Sequence, residues 1–265
     1  MIPPVAHRWL GVFALLICLF SVAPVVVIVI ESFTAGDYVV FPPQGLSFKW
    51  YVEFAKRREF VDSAIVSLLV AVCASLLSTV LGTMSAIALE RHVFFGRRLL
   101  QGLFLAPLSL PGLIFGVALL QFLAYYGLPR NLFSMMLAHV IITVPFAIRF
   151  VSVALLGIDP NVERAAQSLG ADPLRTFWHV TFPLIRPGIA ASLVFSFIVS
   201  FDEVAASLFI SSPNAMTLPV RIFVYIDQNY DPLVTAVSSI LVLAAVIALV
   251  VIEKTVGMGR LFGLR

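Results

Sequence analysis

Five stretches of this chain run for at least 18 residues without an Asp, Glu, Lys or Arg. Chain that cannot bond to water must satisfy its own backbone, and a helix of about 20 residues does so across a bilayer. The runs predict spans over 9–30, 63–89, 99–128, 131–150 and 232–252. A sixth, 187–210, is apolar apart from Asp202-Glu203. Charged residues make up 12% of the chain and hydrophobic ones 61%. A soluble domain has about 25% charged residues, so a soluble fold is excluded. The prediction is an all-α integral membrane protein of six transmembrane helices, with residues 1–265 forming one membrane domain.

Basic residues set the orientation. With an inner N-terminus, the inside segments hold Arg8, Arg91, Arg97, Arg98, Arg149, Arg164, Arg175, Arg186, Lys254, Arg260 and Arg265. The outside segments hold Lys49, Lys56, Arg57, Arg58, Arg130 and Arg221. That excess favours both termini in the cytoplasm. It also explains the net charge of +3 without nucleic acid. The first span is longer than the apolar core of a signal peptide and lacks a clear cleavage site, so an uncleaved helix is expected. Cys18 and Cys73 sit inside apolar runs and read as buried thiols.

The longest polar segment on the inner side is 159–186. Asp159-Pro160 and Asp172-Pro173 each combine a capping Asp with a Pro at the first helical position. Gly170 suits a left-handed close to the first helix, and Pro183 is expected to end the second. On the other side, Ser47–Tyr51 opens a surface helix. Trp50 is either an interfacial anchor or an aromatic wall above a substrate path. A second outer helix is expected within Thr217–Tyr230. Pro107 and Pro111 should kink the third span, and His139 reads as an interior histidine with its needs met. Asp202-Glu203 falls in the outer half of the fifth span. An intramembrane acid is costly and faces an interior or water, so the pair is a candidate anionic site for a cationic substrate, unless the helix ends there. No HExxH, GxSxG or phosphate-binding loop occurs, which argues against an enzyme and routes any ATP through another subunit.

Ala165-Ala166-Gln167-Ser168-Leu169-Gly170-Ala171, Phe182-Pro183 and Pro187-Gly188 resemble the EAA loop of binding-protein-dependent ABC importer permeases. The family's Glu before the two alanines is Arg164 here, with Glu163 one position earlier. Ser200–Val204, Thr217–Val220, Ser47–Tyr51 and the six-span layout are similar to the spermidine/putrescine, PotC-like subgroup, although Gly112 stands where an acid is often found. Permeases for aminoethylphosphonate and other small amines look alike.

The resemblance implies a type I (MetI-like) permease fold. Glu163, Arg164, Ala165, Ala166, Leu169, Gly170, Ala171 and Asp172 would meet an ATPase subunit. Asp202, Glu203 and Trp50 would lie on the substrate path. The implied partners are an ATPase dimer, a second permease and a periplasmic binding protein, in the bacterial inner membrane. No cofactor is expected in this chain, since ATP and Mg would bind the ATPase. A self-sufficient secondary transporter is the competing class, disfavoured by the inner loop and the lack of inverted repeats.

Overall fold

The structure, a computed structural model, describes residues 4–256 and is helical nearly throughout. In chain order the helices are α1 (Pro4–Glu31), α2 (Lys49–Lys56), α3 (Arg58–Arg91), α4 (Arg97–Leu105), α5 (Gly112–Tyr125) and α6 (Leu132–Leu156). Then come α7 (Pro160–Ser168), α8 (Pro173–Thr176), α9 (Phe182–Phe201), α10 (Ser207–Ile210), α11 (Leu218–Gln228) and α12 (Leu233–Val256). Among the described residues, four helical stretches are long and apolar enough to cross a membrane: Leu10–Glu31, Arg58–Arg91, Leu132–Leu156 and Pro173–Phe201. A fifth crossing is possible if the bent pair Arg97–Ser109 and Gly112–Tyr125 counts as one. A shorter apolar helix, Leu233–Ile247, falls within the expected span 232–252.

One expected feature is sharper than expected and two elements differ from the sequence expectation. The kink at Pro107 and Pro111 is a break of 109°, because two prolines four residues apart leave consecutive turns without donors. Pro183 does not end a helix. Pro173–Phe201 is continuous, with a π turn over Phe177–Thr181. The Phe182 N–H reaches back to Phe177 O there, and the wider turn makes room for a proline that has no N–H to give. The fifth span does not run to 210 but stops at Phe201, so Asp202 is its C-cap. Cys18 and Cys73 are free thiols, but Cys18 is on the exposed face of α1 rather than buried.

The chain divides into two compact units, one of Met1–Val61 with Ile222–Leu249, the other of Asp62–Arg221 with Val250–Arg265. In the first, Tyr51 Oη joins Ser32 Oγ (2.6 Å) and Ser239 Oγ (2.7 Å). Arg57 donates to Glu53 (3.0 Å) and to Tyr225 Oη (2.8 Å), which itself donates to Asp231 (2.6 Å). Burial, and that donation to Asp231, push the Tyr225 hydroxyl up to about 12, so it remains a neutral donor.

The second unit is built on contacts between α3, α6 and α9. Lipid offers no hydrophobic drive for helices to associate, so close backbone approach has to hold them. Glycines permit it. A Cβ on Gly82 of α3 would stand 2.4 Å from Ala147 Cβ of α6. One on Gly188 of α9 would stand 2.5 Å from Ala154 Cβ and 3.0 Å from Phe150 O, also on α6. Around them Ala86, Val151, Leu155, Ile158 and Ile185 form a fully buried cluster. The buried hydroxyls of Thr79 and Ser192 pair across α3 and α9 at 3.0 Å. His139 of α6 bridges Ser200 (Nδ1, 2.8 Å) and Ser207 (Nε2, 2.9 Å), which ties α10 back to the end of α9.

Gly188→Val should destabilise the purified protein by about 1–3 kcal/mol, the usual range for overpacking. Gly102→Ala is the control, because nothing lies within 4 Å of its added methyl. Thermal unfolding in detergent reads both. A Gly188→Val protein that melts with the wild type would rule out the close α6–α9 approach.

Candidate functional site

The loop after α6 is shaped residue by residue. Asp159 Oδ1 accepts from Asn161 N (2.9 Å) and Pro160 takes the first helical position, so α7 starts where the sequence predicts. Its end is a complete Schellman turn. Ala171 N donates to Ala166 O (3.1 Å) and Gly170 N to Gln167 O (2.9 Å), with Gly170 at φ +92°. That conformation strains any residue with a Cβ. Asp172 Oδ1 then accepts from Arg175 N (2.7 Å) and starts the helical run that continues to Phe201.

The two faces of α7 do different things. Glu163 turns inward, its side chain 16% exposed against 18% for its partner Arg91. Arg91 Nη2 donates to Glu163 Oε1 (3.2 Å), and Nε lies 3.1 Å from Oε2 as an ion pair without hydrogen-bond geometry. The same Arg91 group donates to Leu155 O (3.3 Å), the last residue but one of α6. Thr181 Oγ1 donates to Glu163 Oε1 (2.8 Å). One carboxylate therefore joins the end of α3, α7 and the π turn that leads into α9. Arg164, next along, is exposed and reaches only Asn161.

The opposite face carries Val162, Ala165, Ala166 and Leu169, at the i, i+3, i+4, i+7 spacing of one helical stripe. Leu169 is 90% exposed and Val162 also lies open. Leu174 and Trp178, on the next helical segment, are exposed as well. Among the described residues, Val162, Ala165 and Leu169 of this stripe are left exposed and Ala166 is partly covered.

The other expected residues are not gathered into one place. Asp202 is exposed, its N–H donates to Ile198 O (3.0 Å), and its carboxylate makes no hydrogen bond or ion pair among the described residues. Glu203 Oε1 accepts from Ala206 N (2.7 Å) and so caps the turn before α10. Trp50 is not an open aromatic wall. It is 5% exposed, and its Nε1 donates to Gly36 O (3.1 Å), which fixes the indole inside its own unit. Sequence reasoning missed Arg91 and Thr181 as parts of the loop. Arg91 was legible only as a topology charge, and Thr181 carries no local signal beyond its place before Phe182-Pro183.

A bundle of lipid-facing helices with a broken span and an uncovered helix tied to its end has the build of a membrane transport component. Residues 78–254 match the family described as binding-protein-dependent transport system inner membrane component, and the chain belongs to that family. It is 33% identical over 252 residues to the putrescine transport system permease protein PotI of Escherichia coli K12, covering 92% of this chain and 89% of the relative. It is 29% identical over 233 residues to the spermidine/putrescine transport system permease protein PotC of Haemophilus influenzae, covering 88% of this chain and 90% of the relative. In fold it matches the crystal structure of a bacterial ABC transporter involved in the import of alginate, with a TM-score of 0.71 and 17% identity, covering 96% of this chain and 99% of the other.

Removing one partner of a largely buried ion pair leaves the other charge stranded. Glu163→Ala should therefore loosen the loop and speed tryptic cleavage at the exposed Arg164 and Arg175 by about 10-fold, the equivalent of roughly 1.4 kcal/mol of local opening. Arg91→Ala should do the same, and the double variant should be no worse than either. Additive effects on cleavage would show that the two side chains do not act together.

Proposed function

We propose that this permease subunit forms part of the path for a small amine or polyamine, is driven by a separate ATPase subunit seated on α7, and receives its substrate from a periplasmic binding protein. The observation that carries the reading is the largely exposed stripe Val162, Ala165, Ala166, Leu169, backed by the Glu163–Arg91 tie. A docking helix needs an apolar face for the partner and a rigid attachment to what it moves. Small residues at 165 and 166 let a groove close on the helix, and Leu169 offers one large anchor of the kind that dominates interfaces. ATP and Mg bind the ATPase in this reading. Closure of the ATPase around ATP favours one permease conformation through its differential affinity for that state.

The loop lies on the cytoplasmic side, with both termini, an orientation that the excess of basic residues there favours. A second permease subunit completes the path. The substrate class follows from the relatives, whose names specify putrescine and spermidine, and from Asp202, a free carboxylate at the end of α9. A primary ammonium and a solvated carboxylate attract by about 0.2–1 kcal/mol, enough to orient a cation without trapping it.

Leu169→Asp tests the drive. Leu169 is 90% exposed, so the melting temperature should hold while substrate-stimulated ATP hydrolysis by the assembled transporter falls at least 5-fold, the equivalent of about 1 kcal/mol at a hot spot. Unchanged stimulation would remove α7 from the drive. Asp202→Asn tests the substrate. Uptake of radiolabelled putrescine into proteoliposomes should show a KM raised about 2- to 5-fold with coupling intact. Tight coupling with no putrescine or spermidine uptake in the wild type would leave the drive standing and refute the substrate class.

A further inference from the structure

Between α3 and α4 the chain makes a turn that the transport reading does not use. Gly96 turns it with φ +83°. The turn exposes Val93 and Phe95 almost completely, and Leu99 and Leu103 follow on the outer side of α4. Leu99 and Leu103, four residues apart within α4, share one helix face, and Phe95 lies in the turn before the helix starts. The same turn bounds an open cleft of about 520 Å³, in which Val93, Phe94 and Phe95 stand with Arg97, Arg98 and Gln101. Arg98 is exposed, and its guanidinium makes no hydrogen bond or ion pair among the described residues. Arg97 has only a long contact with Glu90, at 3.6 Å.

Two arginines in the first turn of a helix oppose its dipole, so they do not serve α4 itself. They suit an anion brought to the cleft. The source of that anion follows from what surrounds it. A helix with an apolar stripe on one side and cations on the other lies in the boundary between headgroups and acyl chains. α4 leads through the break at 106–111 into the apolar α5, with which it makes one candidate bent crossing, so its arginine-bearing first turn is the end nearest the headgroups. A protein groove would have to accept a rim of fully exposed Val93 and Phe95; a bilayer takes them as anchors.

We infer that this turn is a binding site for an anionic phospholipid. The phosphate sits between Arg97 and Arg98, Gln101 donates to the headgroup, and Val93, Phe95 and Leu99 enter the acyl layer. The site begins directly after Arg91, which holds the docking helix α7, so the lipid lies against the attachment of that helix. The inference stands whatever the substrate.

The full chain, purified in a mild detergent, is titrated with fluorescent phosphatidylglycerol and, separately, with the phosphatidylcholine analogue. The anionic lipid should bind at least 10-fold more tightly than the neutral one. Each arginine near an anionic surface contributes a factor of about 5, so Arg97→Gln with Arg98→Gln should weaken phosphatidylglycerol binding about 25-fold. Arg97→Lys with Arg98→Lys, which keeps the charge, should retain most of it and controls for misfolding. Inorganic phosphate at 10 mM should not displace the lipid. Equal affinity for the two lipids overturns the proposal, as does a double Gln variant that binds like the wild type. Displacement by phosphate alone would show a simple anion site, and loss of ATPase co-purification with lipid binding intact would make the turn a protein contact instead.

Discussion

The close approach of α3, α6 and α9 is the constraint from which the rest of the second unit follows. Inside a bilayer apolar side chains gain little by touching each other rather than lipid. Contact has to come from shape, and here it comes from the missing side chains of Gly82 and Gly188. Once the backbones are that near, the hydroxyls of Thr79 and Ser192 can meet, and His139 can reach both Ser200 and Ser207. These polar contacts are consequences of the packing. They satisfy groups that apolar surroundings would otherwise leave unpaired at a cost of a few kcal/mol each.

That packing also sets what the loop is attached to. The helical run Pro173–Phe201 passes without interruption from the loop at 159–172 to the buried serines of α9. The loop and the buried end of α9 are thus parts of one hydrogen-bonded ladder. The π turn at 177–181 is the one place where the ladder changes register, and Thr181 within it donates to Glu163. Glu163 therefore holds the only irregular turn of that run against Arg91. Because the pair is more than four-fifths buried, salt screens it far less than a surface pair.

Much of this was legible before any coordinates. The spans declare themselves by charge-free length, and the two Asp-Pro starts and Gly170 declare a helix–turn–helix, because caps and left-handed glycines act within a few residues of where they are written. Contacts between distant residues have no such signature. Nothing near Arg91 distinguishes it from the other basic residues that set topology, yet it holds α7. Trp50 has the look of an interfacial ring and is an interior one, since its partner, Gly36, lies 14 residues away in the chain. Pro183 reads as a stop because a proline ends an α-helix, and the π turn that accommodates it cannot be seen in composition. The shift of the motif acid from 164 to 163 is also resolved only in space: position 163 faces Arg91 and Thr181, whereas 164 faces out.

The two adjacent acids at the end of α9 show how a local rule divides apparently equal residues. A helix end leaves carbonyls free and begins a turn whose N–H groups need acceptors. Glu203 meets that need at Ala206, while Asp202, the C-cap, remains open. The turn they occupy also packs on α5. A Cβ on Gly112 would lie 3.0 Å from Ala205 Cβ, and one on Gly116 would lie 2.8 Å from Ala206 Cα. An acid at 112 would press on the same turn that Glu203 caps. Glycine at that position and Glu203 as a cap are therefore parts of one arrangement, in which the turn sits tightly on α5 and the Asp202 carboxylate alone of the two is left uncommitted to the fold.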